Sequence, residues 1–225
     1  MRKLRILTAL IALTAGLAGA AHAEEARWVE GRHYALVVPA QPTHVPAGKV
    51  EVLEVFSYGC PACNQFRPVM AELEAKLPKK AQLAYLPASW NPAESWPLFQ
   101  RAYLTAQHLG IADRTHEAMY DAIWKTGELA VVDPVTRELK KPQPTLGAVA
   151  RFYARVGGVT QQQVLETAQS FEIDMKMKEA DDLVKAYRVE GTPTLIVAGK
   201  YRINNSSLRS VEDLINLTVW LVERS

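Results

Sequence analysis

The chain is poor in cysteine: only Cys60 and Cys63 occur among 225 residues, so no disulfide framework can staple it together. Its five histidines include no pair at H-x-x-x-H spacing, and too few soft ligands accompany them for a structural zinc site. An excess of either charge is missing too. With 26 basic against 24 acidic residues and no Lys/Arg stripe, nothing suggests a nucleic-acid partner. No apolar run reaches the ~20 residues of a membrane-spanning helix. There are no internal repeats and no low-complexity tract.

What is present begins with a basic head, Arg2, Lys3 and Arg5, and an apolar run from Ile6 to about Ala18. Ala21-His22-Ala23 follows, an A-x-A cleavage pattern ahead of Glu24-Glu25. This three-part layout predicts a secretory signal peptide over residues 1–23, cleaved after Ala23, and hence export. The apolar core is too short for an anchor, and no cysteine near the cleavage point invites lipid attachment. Losing three basic residues takes the formal charge from +2 to −1. The remaining ~200 residues suit one domain, or one domain with a large insertion. At 48% apolar residues a sizeable core forms without staples.

Hydrophobic patterning predicts an α/β chain. His33–Val38 reads as a short strand, Pro39–Gly48 as a Pro-rich link, and Val50–Ser57 as a strand buried on both faces. Pro61 suits the first turn of a helix running to Leu77, which Pro68 should kink. Ala81–Leu86 is a third strand. From about Ser95 to Tyr187 the period becomes helical. Apolar faces appear around Trp96–Ala106, His116–Ile123, Leu146–Val156 and Met177–Tyr187, and Thr160 with Gln163 forms a capping box. Val131–Pro144 reads as a loop. Strand character returns at Thr194–Val197 and Tyr201–Ile203 as a hairpin, and Ser210 opens a terminal helix.

The chemistry concentrates at Cys60-Pro61-Ala62-Cys63, where the apolar strand gives way to a helix. Thiol–disulfide exchange needs an exposed, partly ionised first thiol, because the thiolate is the nucleophile. Free amides and the positive dipole end of a helix start stabilise that anion. A second thiol one turn on can reach the first. Cys60 is thus the expected attacker and Cys63 the buried resolver. Haem attachment would need His after Cys63, where Asn64 stands. A structural disulfide remains open, although a four-residue loop contributes little chain entropy. No metal and no cofactor beyond the Cys60–Cys63 redox pair is expected.

These features resemble the DsbA family of periplasmic thiol oxidants. The resemblance rests on the run Glu51 to Cys63 (EVLEVFSYGCPAC), on Thr192-Pro193 before a late strand, and on a helical block between them, and it spans essentially the whole mature chain. It implies a thioredoxin-like fold with a helical domain inserted before the cis-proline strand: residues 24–90 and 187–225 as its two parts and 91–186 as the insertion. It further implies that Pro193 is cis and faces the cysteines, and that the Thr192 backbone pairs with an extended substrate peptide. An ordinary turn proline is the alternative for Pro193. By alternation Glu54 shares a face with Val52 and Phe56 and should be buried. A buried carboxylate near Cys63 would have a raised pKa and could take its proton, and the family has an acidic residue there. The alternative for Glu54 is an exposed edge-strand position. Relatives often carry His between the cysteines, whereas Ala62 offers no side-chain donor.

The expected activity is that of a periplasmic thiol:disulfide oxidoreductase donating its disulfide to reduced, unfolded secreted proteins. A quinone-linked membrane reoxidase (DsbB-like) would regenerate it, as the resemblance implies. The alternative is a periplasmic reductase or isomerase using the same pair; only a short segment precedes His33, where isomerases carry a dimerisation domain. A non-redox chaperone or peptide-binding module is a third reading.

Overall fold

A computed structural model describes residues 27–225; the expected signal peptide lies outside the described residues. Five strands form one sheet: β1 (Tyr34–Leu36), β2 (Val50–Phe56), β3 (Ala81–Pro87), β4 (Thr194–Val197) and β5 (Tyr201–Ile203), in the order β1-β5-β4-β2-β3. β2 and β3 run parallel, and every other pairing is antiparallel. The parallel pair is joined through α1 (Pro61–Lys76), as a crossover requires.

Between β3 and β4 the chain is helical: α2 (Trp96–His108), α3 (Ala112–Trp124), α4 (Leu146–Gly157), α5 (Gln161–Ala168) and α6 (Phe171–Ala186). The capping box at Thr160 and Gln163 is formed, with both reciprocal bonds present. α7 (Val211–Glu223) closes the chain, capped by the Ser210 hydroxyl. None of the described helices is long and apolar enough to cross a membrane.

Strand alternation divides the interior in two. Leu53, Val55 and Ile196 face a core shared with α2–α6, whereas Val52, Leu195 and Val197 face one shared with Met70 and Leu73 of α1 and Leu214, Leu217 and Leu221 of α7. β2 is therefore buried on both faces, as its near-continuous apolar run requires.

Two local expectations are corrected. β1 is shorter than His33–Val38 because its neighbour in the sheet, β5, offers three residues, Tyr201–Ile203. β2 ends at Phe56 because the Ser57 carbonyl leaves the ladder to accept the Cys60 amide at 3.1 Å. Pro68 sits within α1 without ending it. The β4–β5 turn needs its glycine twice over. Gly199 has φ +63°, and a Cβ there would lie 2.2 Å from the Gln41 carbonyl oxygen.

The register of β4 on β2 positions the site. Val55 lies opposite Thr194 and Glu54 opposite Leu195, so Thr192-Pro193 arrives beside the end of β2 where Cys60 begins α1. Residues 132 positions apart meet because the helical layer is accommodated in that connection.

Candidate active site

Cys60 is the N-cap of α1 and Pro61 occupies its first turn, where a missing N–H costs nothing. Both cysteines are free thiols here, and both are largely buried, Cys60 to 6% and Cys63 to 1% exposure. The Cys63 amide donates to Cys60 Sγ at 3.3 Å, and Cys60 Sγ lies 3.5 Å from the Thr192 carbonyl oxygen.

These contacts separate the two acidities. The Cys60 thiol is pulled down to about 6, foremost by the hydrogen bond from the Cys63 thiol, helped by the Cys63 and Ala62 amides, against the upward push of burial. Burial drives Cys63 the other way, reinforced by the hydrogen bond it gives Cys60 and by that thiolate's charge. Ala62 thus contributes through its backbone. The exposed side chains of Pro61 and Ala62 leave the face over Cys60 uncharged.

Glu54 stands in the centre of β2 with 3% exposure, as its alternation predicts, and makes no hydrogen bond among the described residues. Burial first, then the Cys60 and Glu117 charges, raise its carboxyl to about 8. Cys63 in turn is pushed further up by the Glu54 charge.

The Thr192–Pro193 peptide is cis. The Thr192 carbonyl points at Cys60 Sγ, so only its amide is left free for a partner strand in this dithiol state. The Pro193 carbonyl is taken by the Asn205 side chain at 3.0 Å. The Thr192 hydroxyl is buried with no hydrogen-bond partner.

Patterning alone missed a set of residues from the helical layer that grip the turn carrying Cys60. The Trp124 indole N–H donates to the Tyr58 carbonyl at 2.8 Å, and the Tyr58 hydroxyl pairs with His116 Nδ1 at 3.0 Å. Trp96 packs so close to Gly59 that a Cβ there would lie 2.8 Å from its Cδ1. Burial holds His116 down at about 4, so the ring is neutral near pH 7. As a sequence these aromatics form stripes at helical spacing, which core packing accounts for equally well.

Comparison with known proteins agrees with this architecture. A family model described as Thioredoxin matches residues 45–216. The thiol:disulfide interchange protein DsbA of Pseudomonas aeruginosa is 33% identical over all of this chain and 97% of its own length. That of Azotobacter vinelandii is also 33% identical, over all of this chain and 98% of its own. Among solved structures, the oxidoreductase DsbA from Xylella fastidiosa superposes with a TM-score of 0.73 at 31% identity, covering 88% of this chain and 97% of that one.

Proposed function

The chain belongs to the DsbA family of thiol:disulfide oxidoreductases in the thioredoxin superfamily, and from that premise we propose that it donates the Cys60–Cys63 disulfide to reduced, unfolded secreted proteins in the periplasm. The observation that carries the direction of transfer is the opposed pair of acidities: a depressed thiol at the start of α1 and a raised one a turn deeper.

Donation proceeds in two exchanges. A substrate thiolate attacks Cys60 Sγ of the disulfide, forming the mixed disulfide and breaking the Cys60–Cys63 bond. Cys63 leaves with the electron pair and needs a proton, and Glu54, protonated below about pH 8, is its proposed donor. The substrate's second thiolate then attacks its own sulfur in the mixed disulfide and expels Cys60. A thiolate of low pKa leaves readily, and the helix-end amides stabilise it once released. The substrate gains a disulfide and the protein keeps the two electrons.

Reoxidation runs these steps backwards. The Cys60 thiolate attacks a disulfide of a quinone-linked membrane partner, Glu54 takes the Cys63 proton, and Cys63 closes the internal bond. Thr192 is the proposed docking point for an extended substrate segment beside Cys60. A strand that pairs with its carbonyl must displace the Cys60 contact, whereas the amide is free from the start. The reductase or isomerase alternative uses the same atoms with the opposite net flow. Incubating the oxidised protein with a reduced, unfolded dithiol protein tests the proposal. Stoichiometric substrate disulfide and dithiol Cys60/Cys63 are expected, and a substrate left reduced at equilibrium would contradict it.

A further inference from the structure

We propose that Gln143 is a positioning residue for Cys60, acting through Ser95 and Gly59. Ser95 joins the 3-10 turn Pro92–Glu94 to α2, and it departs from local rule twice. Its φ of 58° and ψ of 22° lie in the left-handed region, where a Cβ crowds the following carbonyl and residues other than glycine sit only at a cost. It is also the N-cap of α2, where a serine hydroxyl ordinarily accepts from a helix amide, yet it makes no such bond.

The hydroxyl donates instead to Gln143 Oε1 at 2.9 Å, 48 positions along the chain. Gln143 is itself braced. Its Nε2 gives one proton to the Val131 carbonyl at 3.0 Å and one to the Lys140 carbonyl at 2.9 Å, which turns the oxygen towards Ser95. The same two arms of residues 131–143 are joined by the Val132–Leu139 bridge and by the Lys140 amide, which donates to the Val131 carbonyl at 2.8 Å.

What Ser95 holds lies directly against the turn of the nucleophile. The two groups that press on Gly59 belong to the residues on either side of Ser95. A Cβ at Gly59 would lie 2.8 Å from Trp96 Cδ1 and 3.0 Å from the Glu94 carbonyl oxygen. Rotation about the Ser95 backbone moves these two groups relative to each other, so both stay in place while Ser95 keeps its left-handed setting. The Trp96 indole N–H is buried with no hydrogen-bond partner among the described residues, so no bond of its own seats the ring. Gly59 adjoins Cys60, whose Sγ accepts from the Cys63 amide at 3.3 Å. Relaxing Ser95 lets Gly59 move into the opened space and carries Cys60 with it. The Cys63 amide bond then lengthens, and the thiolate loses part of its support.

The proposal rests on Cys60 being the exchanging thiol, which the alkylation profile of the parent tests by itself. The pH dependence of Cys60 alkylation, read by peptide mass in the reduced mature chain, is compared among variants that urea midpoints show to be folded under the assay conditions. Gln143→Ala and Ser95→Ala should each raise the midpoint and slow alkylation severalfold below it. Combining them should shift it no further, because both cut one link. Ser95→Gly is the decisive change. Glycine takes a positive φ without strain, so this variant should keep the midpoint of the parent, and Gln143→Ala/Ser95→Gly should recover it. Asp133→Ala removes the carboxylate that accepts the Val135 and Thr136 amides, and it should lower stability with the midpoint unmoved. An unmoved midpoint in Gln143→Ala and Ser95→Ala, a shift that Ser95→Gly fails to rescue, or an equal shift in Asp133→Ala would overturn the proposal. Faster alkylation of Cys63 than of Cys60 in the parent would instead overturn the assignment of the exchanging thiol.

Discussion

Cys60 gains its acidity from neighbours that carry no formal positive charge: a thiol and two amides. In the reduced protein Cys60 should therefore be alkylated much faster than Cys63 at neutral pH, with a rate that titrates near 6; equal rates would remove the assignment. The linkage sign follows from the direction of the shift. Between about 6 and the ~8.5 of an unfolded thiol, the unfolded chain holds the extra proton, so stability of the dithiol form rises with pH across that window. It is lost as pH falls through 6. Against Cys60→Ser the advantage should be ~1 kcal/mol at pH 7 and vanish below pH 5, read from urea midpoints. Glu54 has the opposite slope. Its raised pKa penalises folding above the unfolded carboxyl value near 4.3 and reaches its full cost only above 8. Glu54→Gln should thus stabilise the protein by ~3–4 kcal/mol at pH 7 while slowing release of mixed disulfides. Attack by Cys60 should change little. A release rate equal to the parent's would return Glu54 to a structural part.

α1 and the helical layer fix the turn between them. Gly59 has no room for a methyl group beside Trp96 and the Glu94 carbonyl, so Gly59→Ala should cost about 1–3 kcal/mol of thermal stability. Trp124→Phe keeps an aromatic ring but strands the Tyr58 carbonyl, a loss of the same order. Because that carbonyl lies two residues before Cys60, the variant should also shift the pH midpoint of Cys60 alkylation, which loss of stability alone would not do. A fall in melting temperature with an unmoved midpoint would make Trp124 a packing residue only. The sequence made most of these elements legible. The strand-to-helix junction at Cys60, the capping box at Thr160 and the buried face of Glu54 each follow from local pattern and appear where expected. The grip on Tyr58 and Gly59 was not legible, since it joins residues about 40 to 65 positions apart through side chains that resemble ordinary core. The ends of β1 and β2 depart from local pattern for a related reason, as partner length and a turn carbonyl set them.

At the scale of the whole molecule, the sheet order brings two distant segments to one point, and a helical layer stands over one face of the sheet. The direction of electron flow depends on how far this frame stabilises the reduced form over the disulfide. Each unit of Cys60 depression is worth ~1.4 kcal/mol, or ~30 mV for two electrons at a pH where the thiolate is formed. A side chain between the cysteines that adds a donor should raise that value further, so Ala62→His is expected to be more oxidising than the parent. The most direct measurement is the equilibrium reduction potential of Cys60–Cys63 against glutathione at pH 7. A donor of disulfides should lie well above the about −270 mV of thioredoxin and above the roughly −220 mV of glutaredoxin-like pairs. A value at or below that of thioredoxin would contradict the account and assign the pair to reduction.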